Sequence, residues 1–359
     1  MRVLITNNRL DSRGGAEAFV RDLARGLQAR GHSVLAYSSD PGQRERLLES
    51  DPVPVATDLE ALTFEPDIIH AQHHLDAMTA LTALPGIPAL YHCHGAVWRE
   101  CAPKHPRIYH YLAMSSTLAQ RMMIESNIAE TDITVWLNGV DLARFRTVRK
   151  LPRKPTRALF FNGHHGPESE TTVAVRTAAS RRGLQLDFAG FHFGQRIERP
   201  EISLPDYDIV FASGKSAIDA LACGCAVIVL GRTSCGVLVR SENYDHLREV
   251  NFSIAVNSPP PSAEKIEEQI NRVAGEDCAL VTERLRREAD FTLALERLVG
   301  IYERVIEIHR ALPTDHRAES LATSRYLRKI VPLIKSVDEA HKLGELSTFG
   351  SPACSESDG

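Results

Sequence analysis

The chain has 359 residues, 43% hydrophobic and 25% charged, a globular composition long enough for two domains. Its 42 Lys and Arg against 46 Asp and Glu leave a formal charge of −4, which excludes general nucleic-acid binding, a function that needs a strong cationic excess. That balance leaves small anions open, because a few backbone amides and one cation suffice for a phosphate.

The opening MRVLITNNRL carries only a short apolar run, Val3 to Ile5, too brief for a secretory leader, and nowhere does an apolar run approach the length of a membrane span. Seven scattered cysteines (Cys93, Cys101, Cys223, Cys225, Cys235, Cys278, Cys354) form no CxxC pair. They read as reduced thiols, and a cytoplasmic protein is expected. Strands are predicted at Val3–Thr6, Ser33–Tyr37, Ile68–Ala71, Ala89–Cys93, Tyr111–Met114 and Ile133–Leu137. From Ala16 a helix is predicted, because Ala16, Phe19, Val20, Leu23, Ala24 and Leu27 share one face, and Gly31 stops it. Between Asp141 and Arg157 the periodicity breaks into a basic, proline-containing linker. Its cluster Arg149–Arg157 reads either as a solvated connector or as a contact for an anionic membrane surface. The alternation then restarts, with strands predicted at Ala158–Phe161, Gln185–Ala189, Asp208–Ala212 and Ala226–Leu230 and helices near Glu170–Arg182, Ser216–Ala222 and Ser262–Ala274. After Asp290 a long helix follows, then a second over Ser320–His341, kinked or broken at Pro332, and a tail expected to be disordered. The fold class is therefore α/β, two Rossmann-like domains facing across a cleft: 1–148, 149–310, and a helical extension with tail over 311–359.

Ligands of such folds bind at the C-terminal ends of strands, beside helix N-termini. Three places qualify. Gly14 and Gly15 let the backbone approach a ligand where the first helix opens, although a tight structural turn explains the pair equally well. Ser213, Gly214, Lys215 and Ser216 form a polar turn into a helix, with Asp219 about one turn inside. A P-loop is excluded because Ile209 stands where its first glycine is needed. A diphosphate on the turn amides with Asp219 on ribose hydroxyls fits; so does a capped helix with a solvent-facing aspartate. The third place is a set of histidines at strand ends: His70, His73, His74, His92 and His94. A metal site, a catalytic or sugar-binding role for one of them, and ordinary buried histidines all compete. His164 and His165, between Gly163 and Gly166, sit similarly. Asp206 and Asp208 spell DxD but lie at the other end of their strand, so no metal is implied.

Six stretches in register, GGAEAFVRDLARGLQARGHSV, EPDIIHAQHH, PALYHCHG, LAMSSTLAQRM, LNGVDLARF and AIDALACGCAVIV, resemble the retaining GT-B glycosyltransferases of family-4 type over about residues 2–310. The resemblance implies a nucleoside-diphosphate-sugar donor held mainly by the second domain, an acceptor on the first, and a C-terminal helix that crosses back. It implies a diphosphate at the Gly15 amide, a transferred sugar near His94, a cleft loop at Asn138 and Gly139, and ribose on Asp219. The sequence departs from the family at two points. Phe211 stands where the first glutamate of E-x7-E belongs, and His164 and His165 stand where an Arg and a Lys usually neutralise the diphosphate; Lys215 supplies one charge in their place. The reaction expected is glycosyl transfer to a sugar, lipid-linked or small-molecule acceptor in glycan or glycoconjugate synthesis, metal-independent, with no cofactor beyond the donor. A non-catalytic sugar-nucleotide-binding subunit and a nucleotide-sugar 2-epimerase are the alternatives.

Overall fold

The computed structural model describes residues 1–10, 15–40, 42, 53–62, 64–195, 197–231, 236–253 and 261–342. Gly14, Cys235 and the tail 347–359 lie outside the described residues. The first sheet is wholly parallel, with strands β1 (Arg2–Thr6), β2 (Ser33–Tyr37), β3 (Val55–Ala56), β4 (Ile68–Ala71), β5 (Ala89–Cys93), β6 (Ile108–Ala113) and β7 (Ile133–Val135) in the order β3-β2-β1-β4-β5-β6-β7. Its central strands are buried, as a sheet covered by helices requires. Helices α1 (Gly15–Gln28), α2 (His74–Ala83) and α3 (Ser116–Ser126) accompany it. Of the predicted face of α1, Phe19, Val20, Leu23, Ala24 and Leu27 are buried, and Ala16, in its first turn, is half-buried.

The second sheet comprises β8 (Arg157–Phe161), β9 (Gln185–Ala189), β10 (Ile209–Ala212), β11 (Ala226–Val229) and β12 (Val237–Leu238) in the order β12-β11-β10-β8-β9. β12 is antiparallel and was not expected; two residues carry too little pattern to reveal a strand. With this sheet go α4 (Glu170–Arg181), α5 (Pro200–Ser203), α6 (Gly214–Ala222), α7 (Tyr244–Glu249), α8 (Ala263–Asn271) and α9 (Gly275–Glu288). The helix expected over 262–274 is thus α8 alone, ending at Asn271, with Ala274 in extended backbone before α9.

Helix α10 (Phe291–Ala311) recrosses the junction. Leu295, Leu298, Ile301, Tyr302 and Val305 are buried in the core of the first domain, so the range 149–310 ends with a helix that packs on the other domain. At Gly26 the absence of a side chain lets Leu295 lie directly against α1. The last helix, α11 (His316–Lys342), continues through Pro332, which removes one backbone hydrogen bond without ending the helix, so of the expected kink or break the break does not occur. Arg107 donates to the carbonyls of Leu81 and Leu84 at the C-terminal end of α2 and pairs with Glu319 of α11 at 3.0 Å. Tyr326 meets His74, at the N-terminal end of α2, at 2.7 Å. α11 therefore runs antiparallel to α2, toward the C-terminal edge of the first sheet.

Gly224 ends α6 in left-handed backbone (φ +84°), and a Cβ there would collide with the carbonyl oxygen of Arg149. Gly183 (φ +66°) has open space instead. Gly224→Ala is expected to lower unfolding free energy by about 2 kcal/mol or more, and Gly183→Ala by only about 1 kcal/mol. Urea midpoints of the two variants check the difference.

Candidate functional site

On the second domain the site begins where β10 gives way to α6. Ser213 occupies the N-cap in extended backbone (φ −148°), yet its side chain makes no capping bond. Ser115, Ser169 and Ser262 all do cap their helices. The first turn of α6 thus presents amides without a side-chain cap, a ready anion site in charge and geometry. Gly214 is left-handed (φ +57°) and donates its N–H to the Phe252 carbonyl at 3.0 Å. Asn251 and Phe252 are also left-handed, and Asn251 Oδ1 accepts from the Asn138 amide at 3.1 Å. The segment 251–252, which sequence reasoning missed, therefore ties the loop of Asn138 and Gly139 to the turn of Ser213 and Gly214. Gly139 itself packs tightly, since a Cβ there would lie 3.1 Å from the Ala289 carbonyl oxygen.

Lys215 and Asp219, one turn apart on α6, pair directly. Burial pushes the Asp219 carboxyl up, and Lys215 pulls it back down. The solvent-facing aspartate is excluded: Asp219 is only 6% exposed. Lys215 also lies 3.8 Å from Asp22 of α1, which Arg144 engages at 2.8 Å; Arg144 reaches Glu201 at 3.7 Å. Lys215 and Arg144 both stand over the buried Phe145 ring. Arg199 engages Glu201 as well, at 3.2 Å, and the result is a cluster of three cations and three carboxylates that joins α1 to α6. Asp22, Arg144 and Glu201 were not singled out from the sequence. Arg144 lies in the stretch LNGVDLARF and Asp22 in GGAEAFVRDLARGLQARGHSV, while nothing local marks Glu201.

On the first domain the histidines divide by environment. The Tyr302 hydroxyl meets His70 Nδ1 at 2.7 Å, His70 Nε2 meets His92 Nδ1 at 3.2 Å, and His92 Nε2 meets the Met114 sulfur at 3.1 Å. One set of tautomers satisfies the whole chain: the hydroxyl donates to His70, His70 to His92, and His92 to sulfur. Burial pushes His70 down to about 3 and His92 well below its usual range, so both are neutral structural residues. His94 differs. Its ring stacks 4.1 Å from His92 and 4.7 Å from Phe19, burial lowers it to about 4, and its Nε2 has no partner. Glu100 accepts from the His94 amide at 3.0 Å and from His73 Nε2 at 3.1 Å, while Asn8 N–H donates to His73 Nδ1. His73 holds a left-handed conformation (φ +53°) to make both contacts, a strain that marks the loop before α2. Burial raises Glu100, but the His73 hydrogen bond and nearby His94 bring it below the usual carboxylate range. Among the described residues no group of three or more His, Cys, Asp or Glu is placed to hold a metal.

Gly15 opens α1 with nothing within 4 Å of where a Cβ would stand. Gly163 is equally open, and the His164 amide donates to Asn162 Oδ1 at 2.7 Å. His165 is buried, 3.1 Å from the Gly231 carbonyl oxygen. Asp208 is buried at the N-terminal end of β10, accepting from Arg149 at 2.6 Å and from the Thr156 and Arg157 amides. It is structural, and the DxD spelling carries no site. Arg149 and Arg157, which pairs with Asp187 at 3.3 Å, are held in ion pairs of the second domain.

Residues 13–144 match the sequence profile of Glycosyltransferase Family 4. No curated protein matches the sequence. Among solved structures, a glycosyltransferase from Rickettsia africae is 15% identical and superposes with a TM-score of 0.61 over 85% of this chain and 98% of that one. The lipopolysaccharide outer core galactosyltransferase WaaB is 13% identical, TM-score 0.57, over 85% and 100%. WaaG, a glycosyltransferase involved in lipopolysaccharide biosynthesis, is 12% identical, TM-score 0.54, over 84% and 99%. These likenesses establish the GT-B fold, two Rossmann-like domains, as the architecture of the chain.

The neutral histidines set a pH dependence. His70, His74, His92, His94 and His105 are all lowered from the usual 6.5 by burial first of all. Between pH 6.5 and about 4 the unfolded chain therefore binds more protons than the folded one, and stability falls as pH falls through that window. Urea midpoints at pH 7.5 and pH 5 are expected to differ by an amount worth a few kcal/mol. Equal midpoints would show that these rings are not held neutral.

Proposed function

We propose that this chain, a GT-B protein whose first domain is of the Glycosyltransferase Family 4 type, transfers a hexosyl group from a nucleoside-diphosphate sugar to an acceptor hydroxyl, with retention at the anomeric carbon and without a metal ion. The observation that carries the reading is the uncapped N-terminus of α6 with Lys215 in its first turn and Asp219 on the same face. The diphosphate would rest on the first-turn amides of α6 and meet the amide of Gly15 at the start of α1. Lys215 would leave the Asp219 carboxylate for the diphosphate and free Asp219 to accept from the ribose hydroxyls.

In the transfer step the bond from the anomeric carbon to the phosphate oxygen breaks, and the acceptor oxygen bonds to the same face of that carbon. The acceptor's proton passes to the departing phosphate oxygen, so no side chain is required as general base. Helix amides and Lys215 stabilise the charge that develops on the leaving diphosphate. His94, neutral and with Nε2 unpartnered, is suited to hydrogen-bond the sugar rather than to oppose an anion. An acceptor of the cell-surface glycan class is the extension we make from the lipopolysaccharide enzymes that share the fold.

A second reading has its own observation. Every charged group of the junction cluster is balanced inside the protein, and Asp219 is nearly buried, as suits a subunit that holds sugar nucleotide without turning it over. Calorimetry of the full chain with UDP and GDP, followed by assays of donor hydrolysis, separates the two. We expect binding with turnover; tight binding without turnover across donors favours the binding subunit, and no nucleotide binding contradicts both. Asp219→Ala is expected to weaken nucleotide binding roughly ten- to hundredfold, the value of hydrogen bonds to a charged group. Unchanged affinity removes the ribose assignment.

A further inference from the structure

The last helix leaves the body of the protein at an informative place. Tyr326 of α11 is fixed to His74, whose ring also meets Trp98 edge-on at 4.3 Å. His74 follows the C-terminal end of β4, beside the loop that holds His73 and Glu100 against His94. Beyond Tyr326 the helix continues for 16 residues, about 24 Å at 1.5 Å per residue, and none of its described side chains there is buried. This free half of α11 therefore extends from the rim of the candidate site on the first domain.

Its chemistry is sorted by face. At 100° per residue, Leu327, Ile330, Val331, Leu333, Ile334 and Val337 fall within an arc of ~160°. Beyond Tyr326 the helix carries Arg328, Lys329, Lys335 and Lys342 against Asp338 and Glu339 near its end, and Arg325 stands at its root, a net positive segment in a chain whose net charge is −4. Trp98 and Val97, 48% and 39% exposed, add an aromatic and an aliphatic side chain beside the helix root. We propose that the half of α11 beyond Tyr326 is an interfacial helix that docks the rim of the first domain on an anionic lipid bilayer.

A lipid surface is the occupant that suits both faces. Its headgroups are complementary to the cationic flank, and long basic side chains reach them while the apolar arc enters the acyl boundary. A second copy of the same segment would bring one net positive flank against another. The apolar arc, widened by Val331 and Leu333, also exceeds the narrow seam of a coiled coil. The inference stands apart from the transferase reading; where both hold, the acceptor is an amphiphile presented at the bilayer surface.

The test uses the full chain without nucleotide. Co-sedimentation is measured with vesicles of phosphatidylglycerol and phosphatidylethanolamine, and with vesicles of phosphatidylcholine alone. Tryptophan emission reports on half-exposed Trp98, since Trp136, the other tryptophan, is buried. Sedimentation with the anionic vesicles, a blue shift on binding, and at least tenfold weaker binding to phosphatidylcholine are expected. Ile334→Asp, at a site 57% exposed and so without cost to folding, is expected to weaken vesicle binding about tenfold or more. Failure to bind anionic vesicles, equal binding by Ile334→Asp, or a dimer that Ile334→Asp dissociates would overturn the proposal. UDP affinity of the same samples, measured separately, tells whether the nucleotide reading stands or falls on its own.

Discussion

A carboxylate taken out of water costs several kcal/mol unless a cation and hydrogen bonds accompany it. Asp219 meets that constraint through Lys215, and Lys215 in turn lies against Asp22 of the other domain, which Arg144 of the connecting segment also engages. The approach of α1 to α6 is thereby fixed by electrostatics rather than by apolar packing alone. The same constraint bears on ligand binding. On the proposed reading, a diphosphate at α6 would add negative charge to a cluster whose cations are already paired, and would have to recruit Lys215 away from Asp219. Ribose hydroxyls on Asp219 would then replace what the lysine gave, and nucleotide binding would be coupled to the contact between the domains through one side chain.

The first domain answers a different constraint, burial of polar rings. Tyr302, His70, His92 and Met114 form a one-directional chain of hydrogen bonds that leaves the two histidines neutral and satisfied. Tyr302 comes from α10, so the helix that returns from the second domain supplies the first donor of the chain. His94 sits at the end of this packed set with Nε2 buried and unpartnered, and Glu100 and His73 hold its loop. Rigid support beneath one unpartnered nitrogen is what a binding group needs. The root of α11 touches the same loop through His74, which links the free amphipathic helix to the rim of the site.

Much of the fold was legible because its signals are local. Ser33–Tyr37, Ile68–Ala71, Ala89–Cys93 and Gln185–Ala189 form strands with the bounds their apolar runs suggested, and Gly31, at φ +79°, closes α1 as a C-terminal glycine does. The helix α2 gave no comparable signal, since His73 enters it in a left-handed conformation that no sequence rule assigns to histidine. Pro332 left a kink and a break both open, and the helix runs on, because a proline in an exposed helix removes one hydrogen bond and need not end it. The site was legible only in part. Lys215 and Asp219 share a helix and can be paired by spacing, but Asp22, Arg144 and Glu201 reach them from distant segments. The histidines alternate identically along their strands; only depth separates His70 and His92 from His94.

The most direct measurement is the crystal structure of the full chain with bound UDP. The expected density shows the diphosphate on the first-turn amides of α6, ribose hydroxyls within hydrogen-bond distance of Asp219, and Lys215 turned from Asp219 to the phosphates. A nucleotide bound elsewhere, with the Lys215–Asp219 pair intact, would contradict the coupling between donor binding and the domain junction.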